Sequence, residues 1–260
     1  MSASRKFVLA FVLALAGLAG AAANASATFH FMKIREVSAG TGAPDSSYLE
    51  VQMYAPFQNF LSNGAALLTC NSDCSTTHMF SPFTNVANGN SQDTVVFGDS
   101  GLASASKDFN VDLNLNSISA AGAVCYLGEP GYRDCVAWGT FTGASTLTGT
   151  YGTVANPGAP SPALVAGTAL RRSIAPGCAT LLEASDDTND SSLDFSSVTP
   201  NPRPNSFAPT EAPCGPGGGG GPTGYPPTSS PPAAPPTTKK KCKKHKHRSA
   251  QAAKKCKKHR

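Results

Sequence analysis

From Gly215 to Thr238 the chain reads GPGGGGGPTGYPPTSSPPAAPPTT. Such a segment has almost nothing to bury, and its prolines lack the N–H that helices and sheets need. It serves as a spacer, flexible through the glycines and drawn toward polyproline II through the prolines. A packed core must therefore come from the residues before it. Behind it, residues 239–260 read KKKCKKHKHRSAQAAKKCKKHR, with twelve Lys or Arg and no acid. Those charges repel one another, and no apolar residues are present to gather them, so the arm is expected to stay extended and solvated.

The front of the chain sets the compartment. Arg5 and Lys6 precede an apolar run, Phe7 to Leu18, and small residues follow up to Ala25-Ser26-Ala27. A basic start, a short apolar middle and an A-x-A site make a secretory signal peptide over residues 1–27, cut after Ala27. The other reading is an uncleaved anchor, but spanning a bilayer takes about 20 apolar residues and this run is shorter. No cysteine follows it to accept a lipid, and no later stretch is apolar enough to span. The expected location is secreted and associated with the cell envelope.

Export makes the eight cysteines disulfide formers. Many pairings are open; proximity selects Cys70–Cys74, Cys125–Cys135, Cys178–Cys214 and Cys242–Cys256. CYLGEPGYRDC reads as two strands around a Gly-containing turn, which makes Cys125–Cys135 the most plausible.

Residues 28–214 hold seven basic residues and all sixteen acids, so an acidic body carries a basic arm. The body reads as strands. FNVDLNLN (109–116) alternates Phe109, Val111, Leu113 and Leu115 with polar residues, the period of a half-buried strand. YLEVQMY repeats this with Leu49, Val51 and Met53. TVVFG, AVCYLG and DCVAWGTF add β-branched and aromatic runs bounded by turn residues. No segment after the signal has convincing helical period. The expected fold class is all-β, a sandwich or barrel, and the body is long enough for one core.

Several pieces in order resemble lamin-tail-type domains: MKIREVSAGTGAPDSSYLEVQMYAP, with Glu36-Val37, Glu50-Val51 and Tyr54-Ala55-Pro56; DCVAWG (134–139); then ALRRSI, DDTNDSSLDF and TPNPRPN. The match runs from about Phe29 to Asn205. The family's Gly-Trp after the second strand is missing, and Thr199-Pro200-Asn201 stands where Thr-Pro-Gly is usual. The resemblance implies an immunoglobulin-like β-sandwich, an accessory or binding module of exported bacterial proteins without catalytic residues of its own. The arm is similar to Lys-rich, Cys-containing ends of some secreted bacterial proteins.

Three motifs suggest chemistry. Gly98-Asp99-Ser100-Gly101 is the tetrapeptide around the nucleophile of chymotrypsin-like proteases, and His78 lies upstream. A triad must meet at hydrogen-bond distance, and in that fold His and Ser come from separate barrels. Here they lie close in sequence, so a turn of residues that turns prefer is the better reading. Asp186, Asp187, Asn189, Asp190 and Asp194 supply oxygens at calcium-like spacing, but the turn Gly and closing Glu of the hand-type loop are absent; a solvated, self-capping loop is expected. Cys242, His245, Cys256 and His259 have the composition of a zinc site, but the surrounding cations repel a dication. No metal and no cofactor is expected, and no enzyme activity; the alternative, a secreted enzyme with an unrecognised site, would need a convergent polar pocket in the sandwich.

What is left for the arm is electrostatics. Lys239, Lys240, Lys241, Lys243, Lys244, Lys246, Arg248, Lys254, Lys255, Lys257 and Lys258 are the expected polyanion-binding residues, interchangeable as cations. Their expected partners are anionic envelope polymers or lipid head groups, with nucleic acid as the alternative. Lys outnumbers Arg and the arm has no aromatic residue, so binding should be sequence-blind and salt-sensitive.

Overall fold

The computed structural model describes residues 29–40, 43, 45–128, 133–174 and 178–211. The expected signal peptide (1–27), the expected linker (215–238) and the arm (239–260) with its cations, cysteines and histidines lie outside the described residues. So does Cys214.

Ten strands form two sheets among the described residues: β1 (Met32–Ser38), β2 (Tyr48–Met53), β3 (Ala66–Asn71), β4 (Thr77–Phe80), β5 (Thr94–Gly98), β6 (Phe109–Asn110), β7 (Ala121–Leu127), β8 (Arg133–Gly139), β9 (Ala169–Arg172) and β10 (Phe195–Val198). The larger sheet has the order β10-β9-β1-β2-β5-β6, the smaller β4-β3-β7-β8. Neighbours run antiparallel except β5 and β6, which are parallel. The structure is all-β, with few helical residues.

One core joins the two sheets. Ile34, Leu49, Val51, Val95, Phe97 and Leu170 from the larger meet Leu67, Val124, Tyr126, Val136 and Trp138 from the smaller. Trp138 is fully buried, and its indole N–H donates to the Ile118 carbonyl at 2.8 Å. That satisfies the one polar atom of a large apolar side chain.

The smaller sheet is also covered on its outer face, by a helix that the sequence pattern did not reveal. Helix α1 (Ala144–Tyr151) lays Leu147 against Ala123, Cys125, Leu127 and Ala137. Its sequence, ASTLTGTY, is a poor helix former: Gly149 costs about 1 kcal/mol and each of three Thr about half that relative to Ala. Burying Leu147 contributes about 2 kcal/mol, with Ala144 and Tyr151 adding partial cover one turn to either side. Tertiary packing, not propensity, makes this helix. Because both faces of β3, β7 and β8 are covered, their alternation is blurred in sequence.

FNVDLNLN keeps its predicted burial but not its predicted element. Val111, Leu113 and Leu115 are buried while the polar residues between them face solvent, yet only Phe109–Asn110 pairs as a strand. The rest is bound by side chains. Asp99 accepts from the Leu113 and Asn114 N–H groups, at 2.6 and 3.2 Å, and Ser47 Oγ accepts from Leu115 N–H at 3.1 Å. Asn114 takes a left-handed conformation, which Asn tolerates, and the chain turns into a short 3-10 segment at Leu115–Ile118.

Cys70–Cys74 and Cys125–Cys135 are disulfide-bonded as expected. Cys125 and Cys135 face each other directly across β7 and β8. Cys178 is also oxidised; the expected Cys178–Cys214 and Cys242–Cys256 bridges involve residues outside those described.

Candidate functional site

The outer face of the larger sheet is covered by the segment TPNPRPN. Pro200, Pro202 and Pro204 have no N–H, so the segment's remaining donors sit on alternate residues. The three that each follow a proline all meet carboxylates. Asn201 N–H donates to Glu36 at 2.8 Å, Arg203 N–H to Glu50 at 2.8 Å, and Asn205 N–H to both Asp108 oxygens at 2.9 Å. Glu36 lies on β1, Glu50 beside it on β2, and Asp108 just before β6. The Asn205 side chain finishes the strap, donating to the Asn88 and Thr94 carbonyls and accepting from Asn88 N–H. This strap explains why all six residues of β2 are buried, although YLEVQMY read as half-exposed.

Burying acids under the strap has an electrostatic consequence. Glu50 is 1 % exposed. Desolvation raises its carboxyl to about 7, against the opposing pull of Arg203 and with a further push from Glu36. Glu36 accepts from the Tyr48 hydroxyl and from Arg171 Nε. The Tyr48 hydroxyl is raised by burial and by that neighbouring carboxylate.

Three arginines share this face. β1 and β2 are in register at Ile34–Val51 and again at Glu36–Glu50, which leaves Arg35 as the extra residue of a bulge. A bulge re-aims side chains: Arg35 and its neighbour Glu36 both contribute to the outer face, and Val37 returns to the core. Arg171 is held by Glu36 and the Thr199 carbonyl, Arg203 by Glu50 and Glu211. Arg35 is paired with no carboxylate among the described residues. Its Nη1 is shielded from solvent without a hydrogen-bond partner, and its pKa is lowered by burial and by Arg203. The three line an open cavity of about 420 Å³ with Asn201, Thr210, Ile174 and one acid, Glu211, which is engaged by Arg203 and Gln52.

A second, fully enclosed cluster ties the chain's late segments to β1 and β8. Arg172 is 1 % exposed. Its Nε donates to the Ile34 carbonyl, Nη2 to both Asp134 oxygens at 2.8 Å, and Nη1 to Asp194 at 3.1 Å, Asp187 at 3.3 Å and the Asp186 carbonyl at 3.1 Å. Its Cζ lies 4.6 Å from the Phe195 ring centroid, a cation–π contact. Burial opposes the charge, but Asp134, Asp187 and Asp194 outweigh it and raise the Arg172 pKa. Lys33, paired with Asp187, is raised in the same way by Asp134 and Asp187 against its own burial.

This accounts for the Asp-rich stretch. Asp187 and Asp194 are turned to Arg172. Asp190 caps the short helix α2 (Ser191–Asp194) by accepting from Ser192 and Leu193 N–H, and Asp186 accepts from Glu183 N–H. Self-capping was legible in the sequence; the buried cation was not. Among the described residues no group of three or more His, Cys, Asp or Glu is placed to hold a metal ion.

Gly98-Asp99-Ser100-Gly101 is a turn at the end of β5. Asp99 is buried and occupied by Ser47 Oγ and two backbone N–H groups, Ser100 is exposed, and His78 sits exposed on β4 in the other sheet.

No family model matches the chain, and no curated protein or solved structure does. Among the described residues no helix is long and apolar enough to cross a membrane.

Proposed function

We propose that this chain is an exported, non-catalytic module held at the cell envelope by its polybasic arm, and that its body is an immunoglobulin-like sandwich of the lamin-tail type. The observation that carries the first part is the partition of charge: twelve cations in 239–260, and all sixteen acids before the linker. The state of those acids supports an external partner. Among the described residues only Asp45, Asp73 and Asp112 are exposed; Glu36, Glu50, Asp93, Asp99, Asp134, Asp186 and Asp194 are buried. A body that has spent its carboxylates internally competes weakly for the arm, so the cations are available to anionic polymers or lipid head groups.

The lamin-tail reading draws support from how its scattered pieces meet. Glu36 and Glu50 are register partners under the TPNPRPN strap. The Asp of DCVAWG, the second Arg of ALRRSI and the last Asp of DDTNDSSLDF converge in the Arg172 cluster.

Deleting residues 239–260 tests the anchoring. The expected result is release of the protein into the medium, and high salt should release the intact protein as deletion does. Equal cell association with and without the arm would overturn the proposal. Retention of duplex DNA by the intact chain at physiological salt, with no affinity for envelope polymers, would transfer the arm's role to nucleic acid.

A further inference from the structure

We infer that the cavity between Arg35, Arg171 and Arg203 binds a small anionic sugar, one bearing a carboxylate or a phosphate. Three guanidinium groups line one open cavity. Arg171 and Arg203 are each hydrogen-bonded to a carboxylate, but Arg35 is not. A shielded guanidinium nitrogen without an acceptor is unfavourable, and the bulge that brings Arg35 here interrupts the β1–β2 ladder. Bulges of this kind are enriched beside binding sites because they redirect one side chain. An oxyanion in the cavity gives Arg35 the acceptor it lacks, in the forked geometry that carboxylate and phosphate share.

The rest of the wall argues for more than a bare ion. The Asn201 amide makes no hydrogen bond among the described residues and, with the Thr210 side chain, offers donors and acceptors suited to sugar hydroxyls. Ile174 supplies an apolar patch for a ring face. A cavity of about 420 Å³ exceeds the needs of inorganic phosphate and lies in the range of small-ligand sites. This site is independent of the arm: it needs one folded cavity and one ligand, whereas the arm needs only charge.

The test is calorimetric titration of the mature full chain, arm included, at physiological salt with glucuronate, glucose 6-phosphate, glucose and inorganic phosphate. The expected result is saturable one-to-one binding of at least one anionic sugar, weaker binding of inorganic phosphate, and none of glucose. The tighter of the two sugars identifies the anionic group. Arg35→Met should weaken the sugar by roughly tenfold or more, the value of one charge-assisted hydrogen bond, while leaving any arm-mediated heat unchanged. Because Arg35 makes no side-chain hydrogen bond or ion pair among the described residues, the variant should unfold close to the wild-type denaturant midpoint, read by Trp138 fluorescence. Should it not fold, Asn201→Ala is the second variant and should lower sugar affinity. Unchanged affinity in the folded variant, or phosphate binding as tightly as the sugars, overturns the inference.

Discussion

Arg172→Ala should be among the most damaging single changes in the described part of the chain, and its size can be worked from the contacts. The guanidinium makes six hydrogen bonds, three of them to the carboxylates of Asp134 and Asp194. After truncation Asp187 keeps Lys33 as a partner, but Asp134 and Asp194 lose the only cation hydrogen-bonded to them among the described residues. Removing one partner of a buried ion pair costs about 3–5 kcal/mol, and two stranded carboxylates place this site in the upper part of that range. Against a total stability of about 5–15 kcal/mol for a domain, the loss is a large fraction. The pH dependence separates stranded charge from lost packing. Without Arg172, buried Asp134, whose carboxyl desolvation already raises, holds its proton to still higher pH in the folded chain than in the unfolded one. The folded variant then binds more protons, so its stability rises as pH falls and the deficit against wild type shrinks from pH 8 to pH 5. Arg172→Met combined with Asp134→Asn removes one stranded charge while keeping an acceptor for Ile34 N–H, and should regain about 1–2 kcal/mol over Arg172→Met alone. The assay is urea unfolding of the disulfide-intact protein followed by its single tryptophan, Trp138, which is buried in the core. A loss below about 1 kcal/mol at pH 8, or the same deficit at both pH values, would refute the reasoning.

Glu50 supplies an independent pH prediction. Its proton leaves at about 7 in the folded chain and near 4.5 when unperturbed. The folded state is favoured by this group below pH 4.5, and that contribution, roughly 3 kcal/mol at most, is lost as pH rises through 7. Glu50→Gln should flatten the stability profile between those values; an unaltered slope in urea titrations would count against the assigned burial. Two glycines should respond oppositely to alanine. At Gly139 a Cβ would lie 1.7 Å from the Ala120 carbonyl oxygen, at φ +66°, so Gly139→Ala should cost about 3 kcal/mol or more or prevent folding. At Gly149, inside α1, nothing lies within 4 Å, and Gly149→Ala should raise stability by about 0.5–1 kcal/mol. Thermal melts of the two variants check both signs.

The sequence by itself determined what rests on composition and near neighbours. The all-β character of the body, the Cys125–Cys135 and Cys70–Cys74 bridges, the buried face of Phe109 to Leu115 and the self-capping by Asp190 all follow from residues a few positions apart, where covalent spacing limits the choices. The separation of acidic body from basic arm is likewise a property of the string.

The tertiary structure decided whatever needed partners from far along the chain. Helix α1 exists because Leu147 finds the outer face of the smaller sheet, against its own poor propensity. YLEVQMY is buried on both sides because a strap some 150 residues later covers it, its alternate prolines leaving three N–H groups for three carboxylates. Arg35 enters the cavity through a bulge, a one-residue change of pairing with no sequence marker of its own. Arg172 and its neighbour Arg171 look alike in ALRRSI, yet one is enclosed by acids from β8 and the α2 region and the other borders the cavity. Which side of a strand meets which distant charge is set by packing, and packing is a property of the whole chain.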